Sequence, residues 1–410
     1  MKRALLLHNY YIHKGGEDIV FTKEKSLLEK FGCSLNEYSI NNEDLSKYSF
    51  ARNAFNTIWN NEVYRRIDLI IKQSKPDIIH CYNTFPMLSP SVYYAAKKNK
   101  VPVIQRLPNY RLFCPNGLLL RNGQPCEICL HTGNPMYGFF YKCYRGSYFA
   151  SFVVACMIFI HRLLGTWNNE VDAYICLTSF SRGLFIKAGL PKEKLEIKPN
   201  FLPLDPGVSN EDREFCLYVG RLSHEKGVNI LLEAWKKNKI KHQLVIIGDG
   251  PSSNLVIDAQ NENPYIIWLG KKQTDEILRF MKKAHFLIIP SICYENFPNT
   301  LVESFACGTP VIASDIGATR ELVDNNFTGL HFRSGDSEDL ARKIMMLLNK
   351  PLLIKEMQKN CRAEYEAKYT AERNYQMLME IYQTAIERNR ARKPSKFLGG
   401  ITRLVRKQNL

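Results

Sequence analysis

The sequence predicts two doubly wound, Rossmann-like α/β domains with a cleft between them. Short apolar runs alternate with helix-length segments through both halves of the chain. The runs are continuously apolar, as in parallel strands covered on both faces. The alternation breaks once, at the Pro-, Asn- and charge-rich stretch KPNFLPLDPGVSNEDRE, residues 198–214. A length of 410 residues suits two or three domains.

Taken in order, RALLLH is the first strand. The opening MKRALLLHNYYIHKGG starts with two basic residues and a short apolar run. That run stops at His8, and no small-residue cleavage site follows, so it reads as a strand rather than a signal peptide. A cytoplasmic protein with reduced thiols is expected. EDIVFTKEKSLLEKFG follows as a helix, with Val20, Leu27, Leu28 and Phe31 at helical spacing. DIIHCY, VPVIQRL, AYICLT and LEIKPN are the further strands of this half. An excursion over 108–147 separates VPVIQRL from AYICLT. It is followed by YFASFVVACMIFI, Tyr148 to Ile160, which is shorter than the ~20 residues of a spanning helix. The expectation is a buried helix, the alternative a helix lying on a membrane surface.

In the second half the strands are FCLYVG, HQLVIIG, YIIWLG, FLIIPS, PVIAS and TGLHF. VNILLEAWKKN, TDEILRFMKKA, TLVESFACG and SEDLARKIMMLLNK are the helices between and after them. The expected boundaries are 1–200 for the first domain, 201–213 for a linker and 214–365 for the second domain. A helix over 366–390 is expected to pack back towards the first domain, ahead of a basic tail over 391–410.

The net charge of +16 calls for an anionic partner: nucleic acid, acidic lipid or a phosphorylated substrate. No basic stripe interleaved with aromatics and no docking motif argues for nucleic acid. Twelve cysteines in a chain of this length are not a small disulfide framework.

Ligands of doubly wound folds bind beyond the carboxyl ends of the strands, so chemistry is sought there. In CYENFPNTLVES, Glu295 follows a strand, Pro298 stops it, and Asn299 with Thr300 opens a helix that Asn299 is expected to cap. A helix N-terminus offers free N–H groups and a positive dipole end to a diphosphate. Glu295 suits a sugar hydroxyl and Glu303 a vicinal ribose diol, because carboxylates are acceptors only. Spacing alone leaves a capped surface helix with two solvated glutamates as an equal reading. In YVGRLSHEKGV, Arg221 and Lys226 flank a strand–loop–helix junction; a planar fork and a point charge form a phosphate clamp. The alternative there is two exposed cations. Gly248 and Gly250 of IIGDGP, and Gly16 of HKGGEDIV, let backbone approach a ligand or turn tightly.

These four ordered signals at strand–helix junctions resemble the GT-B glycosyltransferases, and most of all the large retaining family four. GGEDIV, NYRLFCPNGLLLRNGQPCEICL, HRLLGTW and KPNF are similar to one branch of it. The resemblance implies that Arg221 and Lys226 hold the donor diphosphate and that Glu295 contacts the donor sugar. It implies that Glu303 binds the ribose, and that Asn296, Phe297, Asn299, Thr300 and Leu301 shape the donor pocket. Gly248 and Gly250 would lie on the same side, and Gly16 would approach the phosphate from the acceptor domain. It further implies UDP- or GDP-linked donors, no catalytic metal, retention of configuration, and lipid-linked or polysaccharide acceptors of bacterial capsule, O-antigen or exopolysaccharide synthesis. The enzyme would then work in the cytoplasm, peripheral to the inner face of the membrane, with the basic tail attracted to acidic lipid. A nucleotide-sugar epimerase of the same fold is the alternative, followed by a non-catalytic sugar- or nucleic-acid-binding protein.

His80, Asn109, Tyr110 and Arg111 are the acceptor-side candidates. Relatives in this branch commonly have His where this chain has Pro108, which removes a proton carrier or hydroxyl partner and stiffens the backbone. Cys114, Cys126, Cys129 and Cys143, with the short CEIC spacing at their centre, have two readings: a structural zinc site, or ordinary reduced cysteines behaving as small hydrophobes.

Overall fold

The computed structural model describes residues 3–12, 15–209 and 211–392. The end of the expected basic tail, 393–410, lies outside them.

The first half holds β1 (Arg3–Tyr10), β2 (Ser34–Asn41), β3 (Ile78–Asn83) and β4 (Val103–Arg106). A two-residue antiparallel pair follows, β5 (Leu120–Arg121) with β6 (Gln124–Pro125), then β7 (Ala173–Cys176) and β8 (Leu195–Ile197). The main sheet has six strands in the order β2-β1-β3-β4-β7-β8, and its pairings are parallel.

In the second half lie β9 (Phe215–Val219), β10 (Leu244–Ile247), β11 (Ile266–Trp268), β12 (Ala284–Ile289), β13 (Val311–Ser314) and β14 (Gly329–Phe332). Their order is β11-β10-β9-β12-β13-β14, again with parallel pairing. Strand order reverses between β1 and β3 in the first sheet and between β9 and β12 in the second. Those are the places where loops diverge and leave a crevice.

β4, β10 and β13 are buried along their whole length, as continuous apolar runs require. β2 departs from the sequence reading, which placed no strand there. SLNEYSIN is an edge strand and only partly buried, so it carries polar residues where the interior strands cannot.

The last helix, Ala371–Ala391, lies against the first domain: Tyr382 OH meets His80 Nδ1 at 2.9 Å. One apolar cluster therefore runs from Leu6 and Phe21 through Leu378 and Tyr382 to Leu217 and Phe305. Below it is a buried polar knot. The Lys198 ammonium is paired with Glu24 and donates to Asn374 Oδ1 at 2.9 Å. Asn374 Nδ2 in turn donates to Pro199 O at 2.8 Å.

The helix Tyr148–Leu163 corrects the expectation of a buried helix. Val154, Ala155 and Ile158 are in the core, while Phe149, Phe152, Phe159 and Leu163 stay exposed.

Candidate functional site

Four loops meet at the two crevices. After β1 comes Gly15–Gly16 and the helix Gly16–Lys30; after β9 comes the loop from Gly220 to Lys226. β12 is followed by Pro290 to Pro298 and the helix Asn299–Ala306, and β4 by Leu107 to Gly117. Gly16, Arg221, Lys226, Glu295 and Asn109 to Arg111 sit in these loops because their strands end there.

Lys226 and Glu295 face each other. Lys226 Nζ stands 2.5 Å from Glu295 Oε1, and Ser291 Oγ donates to the same oxygen at 2.7 Å. Burial pushes the Glu295 carboxyl up, but Lys226 and Ser291 outweigh it and hold the group below the usual range. Burial likewise opposes the Lys226 charge, and Glu295 more than restores it, so the ammonium is raised. Lys226 lies deep in the groove yet keeps 32% of its side chain open. Arg221 is exposed and, among the described residues, its guanidinium has no hydrogen bond or ion pair. The loop thus presents one free cation and one shared cation.

Glu303 is buried one turn into its helix, 3.6 Å from Lys23 Nζ of the first domain. Burial pushes its carboxyl up, and Lys23 only partly offsets this. Gly16 also reaches this helix: a Cβ placed on it would stand 3.4 Å from Asn299 Nδ2. Contrary to expectation, Asn299 does not cap the helix. Pro298 occupies the cap position and no side chain caps it; Asn299 Oδ1 instead accepts from Asn200 Nδ2 at 2.7 Å. Leu301 N donates to Pro298 O at 3.2 Å, and among the described residues the amides of Asn299 and Thr300 remain free donors.

The other second-domain candidates act differently. Phe297 and Leu301 are buried, Phe297 with its ring against Tyr369, so their side chains shape the loop from behind. Asn296 Nδ2 crosses to the first domain and donates to Leu107 O at 2.8 Å. Gly248 and Gly250 serve close packing of loops: a Cβ at Gly248 would sit 1.8 Å from Gly220 O, and one at Gly250 2.4 Å from Leu222 O. They hold the Arg221 loop in place.

Several residues that spacing did not reveal complete the closure. Tyr294 OH donates to Glu127 Oε1 at 2.8 Å. Glu321 accepts from the amides of Ser179 and Phe180 at 2.8 and 2.6 Å, at the start of the helix Ser179–Lys187. Arg106 donates to Asn200 Oδ1 at 2.6 Å. Lys23 carried no signal, being one basic residue on an amphipathic helix; Asn200 did, as the end of KPN at the domain boundary.

Residues 205–366 match the family of glycosyl transferases group 1. The chain is a glycosyltransferase. A glycosyltransferase of Methanocaldococcus jannaschii, itself uncharacterized, is 28% identical over 324 residues, 77% of each chain. The lipopolysaccharide 1,2-N-acetylglucosaminetransferase of Salmonella typhimurium is 30% identical over 210 residues, 45% of this chain and 54% of that one. Anabaena HepE in complex with UDP-glucose superposes with a TM-score of 0.65 at 16% identity, covering 93% of this chain and 99% of that one. At that identity the likeness speaks for the fold alone.

On the first-domain side the glycosyltransferase has an open pocket lined by Phe85, Arg106, Pro108, Asn109, Arg111 and Met157 among others. Asn109 Nδ2 donates to Glu17 Oε1 at 2.8 Å, and Arg111 stacks 4.3 Å from the centre of the Phe85 ring. Tyr110 turns away: it is 1% exposed and packs on Phe113 and Phe185. Burial raises its pKa, and Cys293 and Glu295 add to the rise. His80 does not line the cleft. It is fully buried, stacked on Tyr82 and bonded to Tyr382, and burial holds its pKa down at about 3.

The four cysteines of the excursion gather in one knot. Cys126 N donates to Leu119 O at 2.8 Å, Cys143 N to Gly138 O at 2.9 Å, and Gly138 presses on Pro115 beside Cys114. Burial, then Cys114, Cys143 and Cys126, push the Cys129 thiol up to about 12. Among the described residues, no group of three or more His, Cys, Asp or Glu side chains is arranged to hold a metal ion.

Proposed function

We propose that this glycosyltransferase moves a sugar, with retention of configuration, from a UDP- or GDP-linked donor to a lipid-linked or polysaccharide acceptor of a bacterial surface polysaccharide. The observation that carries the proposal is the Lys226–Glu295 pair beside Arg221, which has no partner among the described residues, facing a helix start that Gly16 approaches from the other domain. The donor diphosphate lies against Arg221, Lys226 and the free amides at Asn299 and Thr300. Glu303 takes the ribose hydroxyls. Glu295, held ionised, takes a sugar hydroxyl and fixes the ring.

In the reaction the bond between the anomeric carbon and the diphosphate oxygen breaks, and the electron pair leaves with the diphosphate. An acceptor hydroxyl attacks the same face and gives its proton to the departing phosphate. Arg221 and Lys226 stabilise the charge that develops there, so the two cations do the work that a metal ion does in other sites. The acceptor enters by the cavity at Pro108, Asn109 and Arg111. The Salmonella relative, by its name a lipopolysaccharide transferase, supports a saccharide acceptor of this kind.

The test has two arms. A thermal-shift screen of UDP- and GDP-sugars should give a higher unfolding midpoint with one donor class. Nucleotide release from that donor should then depend on added acceptor. Release of equal size without acceptor, or a stable epimerised nucleotide sugar, would sink the transfer reading.

A further inference from the structure

The helices Phe50–Ile58 and Tyr148–Leu163 pack side by side on the first domain, with the rings of Phe50 and Phe149 4.3 Å apart. Their inner sides serve the enzyme: Thr57 and Met157 line the cavity assigned to the acceptor. Among the described residues, their outer sides have no partner. Phe149, Phe152, Phe159 and Leu163 fall on one stripe of the longer helix and are 44%, 42%, 44% and 72% exposed; Phe50 and Phe55 extend it at 64% and 66%. The longer helix is thus apolar on both faces, one of them open, which is unusual for a face bathed in water.

Cations outnumber acids around this face, where Glu62 pairs with Arg52 at 3.5 Å and Asp44 with Lys47 at 2.5 Å. Residues 134–169 and 45–61 contain no Asp or Glu. At the rim, cations sit on tyrosine rings: Arg52 is 4.6 Å from the Tyr48 ring centre, Lys142 4.3 Å from that of Tyr148, and Arg145 5.4 Å from that of Tyr144. Apolar side chains surrounded by tyrosines and cations match the layering of a bilayer surface, with acyl chains below and anionic headgroups around. A second copy of the chain fits worse, because it would bring two basic rims together in a protein of net charge +16. No helix among the described residues is long and apolar enough to cross a membrane, so this face lies on the surface.

We propose that the outer face of these two helices docks the enzyme on an anionic lipid bilayer. The aromatic stripe enters the headgroup boundary, and the cavity behind the same helices comes to rest next to the headgroup layer. Its use in catalysis rests on the lipid-linked acceptor proposed above; the docking itself is measured without donor or acceptor.

The test is co-sedimentation of the full chain with vesicles of phosphatidylcholine, with and without phosphatidylglycerol. The chain should bind the anionic vesicles, and less so as salt rises. The combined variant Phe152→Ser, Phe159→Ser, Leu163→Ser should lose tenfold or more in partitioning. Lys142→Ala with Arg145→Ala should weaken binding to the anionic vesicles while leaving that to neutral ones unchanged. Neither set should change the thermal midpoint or the donor-induced shift, so a failure of docking is distinguishable from a failure of the enzyme reading. Absence of binding to anionic vesicles overturns the proposal. So does unchanged binding by the serine variant, which would place the contact elsewhere, including residues 393–410. A dimer by light scattering that the serine variant converts to monomer would show a second copy on this face instead.

Discussion

Glu295 Oε1 is held by two donors, the Lys226 ammonium and the Ser291 hydroxyl. Lys226→Ala and Glu295→Ala should each lower turnover by about 10²-fold or more, as removal of a charge-stabilising group does, with circular dichroism unchanged. Near-normal rates in both would remove the site assignment. Lys226→Ala should also move the acid limb of the pH–rate profile upward, because burial, which raises the Glu295 pKa, is then opposed by Ser291 alone. His80 makes a prediction about stability. Its pKa in the fold is held at about 3 by burial, against 6.5 when exposed. The unfolded chain therefore takes up a proton that the native one refuses. The stability from neutral His80 is complete above pH 6.5 and falls below it, by up to about 1.4 kcal/mol per pH unit. His80→Gln should flatten the fall of the thermal midpoint between pH 7 and 5; an unchanged slope would refute this. Arg221, Lys226, Glu295 and Glu303 could be singled out from sequence because spacing after a strand places them at its carboxyl end. His80 had the same signal, yet the last helix covers it, and that helix is about 300 residues away in the chain.

At the scale of elements, loop contacts decide what glycines do. Gly227 joins the Lys226 loop to its helix at φ +71°, and a Cβ there would stand 1.8 Å from Pro290 O. Gly227→Ala combines a left-handed backbone with overlap against a strand-end carbonyl. It should therefore cost at least 1 kcal/mol and lower the unfolding midpoint. Because Pro290 begins the loop that leads to Glu295, donor binding should weaken as well. The interior strands were legible because both faces are buried, which leaves only apolar runs. β2 was not, since an edge strand half in solvent has no such pattern. The helix Tyr148–Leu163 was legible as a helix but not in its placement, because an apolar run says nothing about what lies on either side.

Across the whole molecule, the domain boundary KPN works as a junction. Lys198 pairs with Glu24 in the interior, and Asn200 joins Arg106 of one domain to Asn299 of the other. The Lys198 ammonium, with His80 and Arg106 helping, holds the buried Glu24 carboxyl down at about 2 against the pull of burial. Lys198→Met would leave that carboxylate unpaired, at a cost of about 3–5 kcal/mol. The unfolding midpoint should fall steeply, and adding Glu24→Gln should restore part of it. A midpoint within the error of the parent in the single variant would mean the pair carries no load. The sequence by itself determined the two-domain architecture, the interior strands and the candidate residues at their carboxyl ends, because strand burial and strand ends leave local marks in residue type and spacing. Only the tertiary structure decided that His80 is interior, that Asn299 is a link rather than a cap, that Lys23 faces Glu303, and that an aromatic face lies open behind the pocket at Pro108. Each of these depends on which distant segment comes to lie alongside, and packing between segments far apart in the chain leaves no periodicity to read.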